Sequence, residues 1–399
     1  MRTVRIVSSI LGVAMLAACS HAAGSSPLPA AFAPPYAALP NTGSFKVLYS
    51  FKGIPDGMSP AAGMTVLNGE LYGTTQVGGQ ADSGTVFVTS TAGKESVLYS
   101  FGTGSGPDGV FPVAGLVMLS GTFYGTATSG GAHGFGVVFK IDKSGTEHVL
   151  YSFKGGNDGA EPYTALVADK GALYGTTLVG GGSTNCQQGC GTIFEVTTAG
   201  VEHVVHSFKG GSDGASPLGR LLVVNSALYG TTSSGGKNGA GTIFKHASGK
   251  QQVLHSFGGT DDGADPEAGL AKVGEKFYGT TNVGGKNGDG TVFATNSTGG
   301  NESVLYSFKG GSSDGENPEA NVISLNGKLY GTTAGGGTAN LGTVFSVSTS
   351  GSENVVHAFK TMSEGSDPRA PLVVVSGMLY GTTSLGGANG VGTIFKTSP

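Results

Sequence analysis

Tryptophan is absent from the 399 residues, cysteine occurs three times, and charged side chains make up only 12%, against an average of about 25%. Each shortage excludes something. With 22 Lys and Arg set against 26 Asp and Glu, the formal net charge is −4 and no Lys/Arg run of patch length occurs. The basic field that holds nucleic acid is missing, so no nucleic-acid partner is expected. No segment keeps a sustained 3.6-residue apolar period, which disfavours helical repeats. Catalytic motifs are missing too: there is no G-x-S-x-G elbow leading from strand to helix, no H-E-x-x-H, no P-loop and no G-x-G-x-x-G in a βαβ setting. Strings such as Gly180-Gly181-Gly182 read as loop glycine and not as phosphate cradles. No cofactor or metal is expected, and no catalytic residue is identified.

Glycine is abundant, at 74 residues, well above the usual share of roughly 7%. High glycine with little charge is compatible with disorder, but Val, Leu, Ile, Phe and Tyr recur at fixed positions, so apolar surface is available to bury. An ordered, turn-rich β-protein is the expectation.

The first residues read as a targeting segment. Arg2 and Arg5 precede a mostly apolar run, Ile6 to Ala18, that is too short for a stable bilayer anchor. It ends in Leu16-Ala17-Ala18-Cys19, which resembles the bacterial lipobox, and that resemblance implies cleavage before Cys19 and lipidation of its thiol. The alternative is an ordinary signal peptide with an incidental cysteine. Residues 19–44 are rich in Ala, Pro and Ser and carry no apolar period, as a tether would.

From Phe45 to Pro399 the chain repeats itself. The run LYGTT, or a close variant, places tyrosines at 72, 124, 174, 229, 278, 330 and 380, a period of about 51 residues. Each copy holds four short apolar runs bounded by Gly, Asn, Asp or Pro; in the fourth they are Leu218 to Val224, Ala227 to Thr232, Thr242 to Lys245 and Gln252 to Phe257. Four strands in units of this size match the blades of a β-propeller. The predicted fold is therefore all-β, a propeller of seven four-stranded blades. The ends complement each other: the chain enters on Lys46-Val47-Leu48-Tyr49-Ser50-Phe51, a run that otherwise finishes a copy, and leaves after Gly392-Thr393-Ile394-Phe395 with that run missing. The N-terminal strand should complete the last blade and close the ring. The interval from the strand-leading Pro to the repeat Tyr is 12 residues in all seven copies, so that hairpin is a fixed unit. Only the third copy carries an insertion, and Cys186 and Cys190 lie in it. After a secretion signal a local disulfide between them is favoured over a metal pair, since no His lies nearby in sequence.

The recurrent residues have structural readings. The repeat tyrosines and the Phe of each Gly-Thr-Val/Ile-Phe run read as inter-blade packing, with a ring of sugar-stacking platforms as the sharper alternative. Asp-Gly precedes the Pro in six copies (Asp56, Asp108, Asp158, Asp213, Asp262, Asp314) and reads as turn chemistry. A Ca²⁺ ring would need six to eight oxygens per ion, and no second acidic position is seen to recur nearby. The Tyr/His alternation at Tyr49, Tyr99, Tyr151, Tyr306 against His206, His255, His357 suggests a partly solvated aromatic position. The least uniform position follows the Pro: Ala61, Val113, Tyr163, Leu218, Glu267, Glu319, Arg369. On an innermost strand these residues approach the channel mouth, which makes Tyr163, Glu267, Glu319 and Arg369 the candidate ligand face; solvated rim charge is the alternative.

LYGTT, Gly-Thr-Val/Ile-Phe, the Ser-Phe end and Asp-Gly before Pro together resemble the bacterial extracellular GloVer tandem repeat, over about 355 residues. Departures are Ala127 and Val137 in the second copy and Glu364-Gly365 in the seventh. The resemblance implies an exported protein carried by a variable anchor, here the lipobox, and implies no defined chemistry. The expectation is a monomeric envelope lipoprotein, held to the membrane by its N-terminal lipid and facing the periplasm or cell surface. It would act as a non-catalytic scaffold for a polysaccharide or envelope protein. The rival is a carbohydrate-active hydrolase or lyase with carboxylates at the channel mouth, supported by fold analogy alone.

Ring closure has a direct consequence. Deleting Phe45 to Phe51 should expose the edge of the last blade and lower the melting temperature by several degrees or more; an open array of independent repeats would melt unchanged.

Overall fold

In the computed structural model, which describes residues 44–104, 106–298 and 302–399, each LYGTT run is the second strand of a four-stranded antiparallel sheet. The expected signal peptide, Cys19 and nearly all of the tether lie outside the described residues. Blade one consists of Thr65–Leu67, Glu70–Thr75, Thr85–Ser90 and Glu95–Ser100, paired in that order. Its first hairpin turns on Asn68-Gly69, both at positive φ (54° and 81°), which is the two-residue turn that matches strand twist. Six further sheets repeat this plan, giving a seven-bladed β-propeller. First strands of neighbouring blades touch, Thr65–Leu67 against Val373–Val375 for example, so the first strand is innermost and the fourth outermost. The last blade is Val373–Val375, Met378–Thr383 and Thr393–Thr397, completed on its outer edge by Lys46–Ser50. Closure by the N-terminal strand removes the free edge that an open ring would present.

Blades are held together by a contact made seven times. The Ser-Phe end of one blade's outer strand drives its ring edge-on against the third-strand Phe of the next: Phe101 on Phe139, Phe153 on Phe194, Phe208 on Phe244, with centroids 5.0–5.2 Å apart. The same pair forms where the chain ends meet, Phe51 on Phe87 at 5.2 Å. The tip of the third-strand ring in turn covers the glycine of LYGTT. A Cβ on Gly73 would stand 2.5 Å from Phe87 Cζ, so glycine is required there by close approach and not by its φ. The first Thr of each motif bonds across the same seam to the next blade, as Thr74 Oγ1 does to the Ala114 carbonyl at 2.9 Å. Six of the seven repeat tyrosines are buried and Tyr174 is partly buried, and they pack toward the following blade, Tyr72 on Phe123 at 4.5 Å.

The insertion in blade three carries a Cys186–Cys190 disulfide, Cα–Cα 5.2 Å. Cys190 is fully buried beside Phe208 and Phe244, so the bridge ties the inserted loop to the seam between blades three and four.

The second Thr of LYGTT faces the Thr of Gly-Thr-Val/Ile-Phe in six blades, with Thr75 and Thr85 hydroxyls 2.8 Å apart and both buried. Blade two puts Ala127 opposite Val137, also buried. Its two departures from the repeat are thus one compensated exchange of a hydroxyl pair for an apolar pair. Thr75→Ala alone should strand the Thr85 hydroxyl and cost about 1–2 kcal/mol. Adding Thr85→Val should recover most of that loss in a denaturant-unfolding cycle; additive costs would count against the pairing.

Candidate functional site

The residue after each Pro stands ahead of the innermost strand, so seven of them ring one end of the axis. Side chains from blades on opposite sides of the ring act on one another here. The phenol of Tyr163 in blade three is raised by desolvation and by Glu267 of blade five, and Arg369 of blade seven opposes that rise. Tyr163 keeps 42% of its surface accessible, yet it stands in a concavity that strips much of its solvent.

The ring divides in two. Ala61, Val113, Tyr163 and Leu218 occupy four adjacent blades and make an apolar side, while Glu267, Glu319 and Arg369 occupy the remaining three. Arg369 Nη1 lies 3.2 Å from Glu319 Oε2, and its Nε lies 2.6 Å from Asp367 Oδ1. Asn282 Nδ2 donates to Glu267 Oε1 at 3.3 Å and reaches Asp265 Oδ2 at 3.4 Å. Burial, then the charges of Glu319 and Asp265, push Glu267 up to about 7. Glu319 is also raised by burial, against the pull of Arg369. Four carboxylates face one guanidinium, so the charged side has an acidic balance that a donor-rich ligand would relieve.

Farther along the channel a cavity of about 360 Å³ is lined by Val117, Val167, Leu222, Leu270, Arg220 and Asn321. The last two went unread in the sequence. They sit three residues after the Pro, where the other five blades carry Gly63, Gly115, Ala165, Gly269 and Pro371, and two large polar side chains at a position otherwise Gly, Ala or Pro were the available signal. Arg220 makes no ion pair among the described residues, and desolvation lowers its guanidinium pKa.

The outer seams require a correction. A second acidic position does recur beside the Asp-Gly turns, but it comes from the next blade. Tyr49 Oη donates to Asp56 Oδ2 at 2.7 Å, and Glu95 of the following outer strand faces both groups. Equivalent sets are Tyr99, Asp108, Glu147; Tyr151, Asp158, Glu202; and Tyr306, Asp314, Glu353. The Tyr/His position is therefore a hydrogen-bonding one, and the Asp carboxylate anchors a neighbouring side chain besides shaping its turn. Burial and the adjacent Asp push Glu95, Glu147 and Glu202 up to about 7 and Glu353 up to about 8.

A family model described as the Gloeobacter/Verrucomicrobia repeat matches residues 36–244 and 183–395. No curated protein matches the sequence. Among solved structures, the chain is similar to virginiamycin B lyase from Staphylococcus aureus, at 14% identity and TM-score 0.58, over 89% of this chain and 100% of that one. That likeness shows the fold alone. Weaker likenesses are to oligogalacturonate lyase in complex with manganese (12% identity, TM-score 0.49, 90% of this chain and 91% of that one). A putative 6-phosphogluconolactonase from Bacteroides uniformis follows at 14%, 0.47, 74% and 84%.

The seam carboxyls fix a sign for the pH dependence of stability. Their folded pKa values lie above the ordinary 4.5, so the folded protein binds more protons between about pH 4.5 and 8. That stability is complete below about 4.5 and lost as pH rises through 7 to 8. Asp213, held low by its bond from His206 against the opposing effect of burial, acts only at more acidic pH. The melting temperature should be higher near pH 5.5 than near pH 8.5, and Glu95→Gln, Glu147→Gln and Glu353→Gln combined should shrink the difference. An unchanged difference would refute the assignment.

Proposed function

The chain belongs to the Gloeobacter/Verrucomicrobia repeat family, and from that premise we propose that it is a non-catalytic binding scaffold of the bacterial envelope, lipid-anchored through Cys19, which takes a polysaccharide at its channel mouth. The observation that carries this reading is the divided mouth. An apolar side holding Tyr163 offers a face on which a sugar ring stacks, and Glu267 and Glu319 opposite accept bonds from its hydroxyls. Arg369 is already engaged by Glu319 and Asp367, so it orients carboxylates and leaves the balance acidic. That favours neutral, hydroxyl-rich sugars over acidic ones. The lipobox and the Ala/Pro/Ser-rich tether support an envelope address, with the mouth carried clear of the membrane.

A second reading, a hydrolase or lyase acting on carbohydrate, is favoured by one feature. Glu267, pushed up to about 7, stands beside a carboxylate that is ion-paired, and environments that separate two acids are those of an acid and its ionised partner. Titrating the chain freed of its first nineteen residues with envelope polysaccharides separates the two. The scaffold should form a stable complex without releasing new reducing ends, and Tyr163→Ala or Glu267→Gln should weaken it at least about tenfold, roughly 1.4 kcal/mol. Cleavage without a stable complex would overturn the scaffold, and capture of only a protein ligand would overturn the polysaccharide.

A further inference from the structure

The seam between blades four and five differs from the other six. Here the aromatic is His255, its Nε2 3.1 Å from Asp262 Oδ2 and 3.7 Å from Glu302 Oε2. The three ligand-type atoms lie within 4.8 Å of one another. Ligands about 2.1 Å from a tetrahedral ion stand about 3.4 Å apart, and the two measured separations bracket that value. The Glu302 side chain is only 9% exposed, and its Oε1 has no hydrogen-bond partner among the described residues. Glu95, Glu147, Glu202 and Glu353 share that unpartnered oxygen, and a carboxylate at such depth is costly unless it keeps a proton or a cation meets it.

In three of the seams that carry the recurrent Glu, a lysine follows the Ser-Phe end and its charge acts on that carboxyl: Lys52 on Glu95, Lys154 on Glu202 and Lys309 on Glu353. In this one the position is Gly258. The seam of Tyr99, Asp108 and Glu147 also lacks the lysine, having Gly102, but there a phenol donates to the Asp and offers no imidazole nitrogen. Only the fourth seam combines a nitrogen ligand, two carboxylates and no lysine.

We infer that His255, Asp262 and Glu302 form a site for a divalent transition-metal ion, bridging the outer edges of blades four and five apart from the channel mouth. His255 supplies Nε2, Asp262 its Oδ2 and Glu302 a carboxylate oxygen. One nitrogen and two oxygens suit Zn²⁺ or Co²⁺, and three protein ligands leave a coordination position for water. The ion neutralises both carboxylates at once and fastens one blade to the next.

The test uses the full chain, purified without a histidine tag and stripped with chelator, titrated with Zn²⁺ by calorimetry and with Co²⁺ by visible absorption. One saturable equivalent should bind, and excess Zn²⁺ should raise the melting temperature. His255→Tyr recreates the Tyr99 seam, an arrangement the ring already contains, and should abolish both the Co²⁺ band and the thermal shift with folding retained. Glu302→Gln should weaken binding at least about tenfold, while His206→Tyr in the neighbouring seam should leave it unchanged. Absence of a one-equivalent phase, or the same phase in His255→Tyr, would overturn the site.

Discussion

The structure depends on a phenylalanine laid over a glycine and struck edge-on by a second phenylalanine from the next blade. In blade one the partners are Phe87, Gly73 and Phe51. Each member constrains the others: a side chain on Gly73 would lift Phe87, and a lifted Phe87 would lose the edge contact that positions the adjoining blade. Such an aromatic pair adds about 0.5–1.5 kcal/mol beyond its burial. Its larger effect is geometric. Repeated at every seam with centroids 5.0–5.3 Å apart, it gives each blade the same offset from its neighbour, which a closed ring requires.

Because the blades are equivalent at this level, substitutions elsewhere come in compensated sets. Ala127 answers Val137 within blade two. At the seam between blades six and seven, Phe45 takes the place of the recurrent Glu and stacks on His357 with ring centroids 3.7 Å apart. There the turn acid is Glu364 in place of Asp, 3.4 Å from His357 Nε2. The seventh copy's missing Asp-Gly is therefore one member of a three-residue exchange made where the chain's own beginning forms the partner strand. The longer carboxylate reaches the stacked imidazole, and the recurrent Glu is replaced by an aromatic ring.

What was legible in the sequence follows from which contacts are local. The strands of LYGTT and the split last blade could be read because apolar runs and turn residues sit within one period. The invariant 12-residue interval from Pro to Tyr put Tyr163, Glu267, Glu319 and Arg369 in one register, from which their shared end of the axis followed. Glu95 was not legible beside Asp56. The two are 39 residues apart, near the beginning and the end of the first copy, and only the folded seam brings them together. The turn reading of Asp-Gly was incomplete for a related reason, since the Tyr that bonds the aspartate finishes the preceding blade. Arg220 and Asn321 were hidden by the opposite fault: they are two large polar side chains at a position that is otherwise Gly, Ala or Pro, and neither recurs.

That last point bears on where chemistry can reside in a molecule of this kind. Residues shared by all seven blades are occupied in holding the ring, with their hydroxyls, carboxylates and aromatic faces spent on one another. Groups free to meet a ligand are those that break the repeat: four apolar residues against three charged ones at the mouth, an arginine in the channel, and an imidazole where a neighbouring seam has a phenol. A uniform propeller offers seven equal, saturated seams and a featureless channel. This one departs from uniformity at positions the interlocking phenylalanines do not use, so the scaffold tolerates each departure without losing its closure.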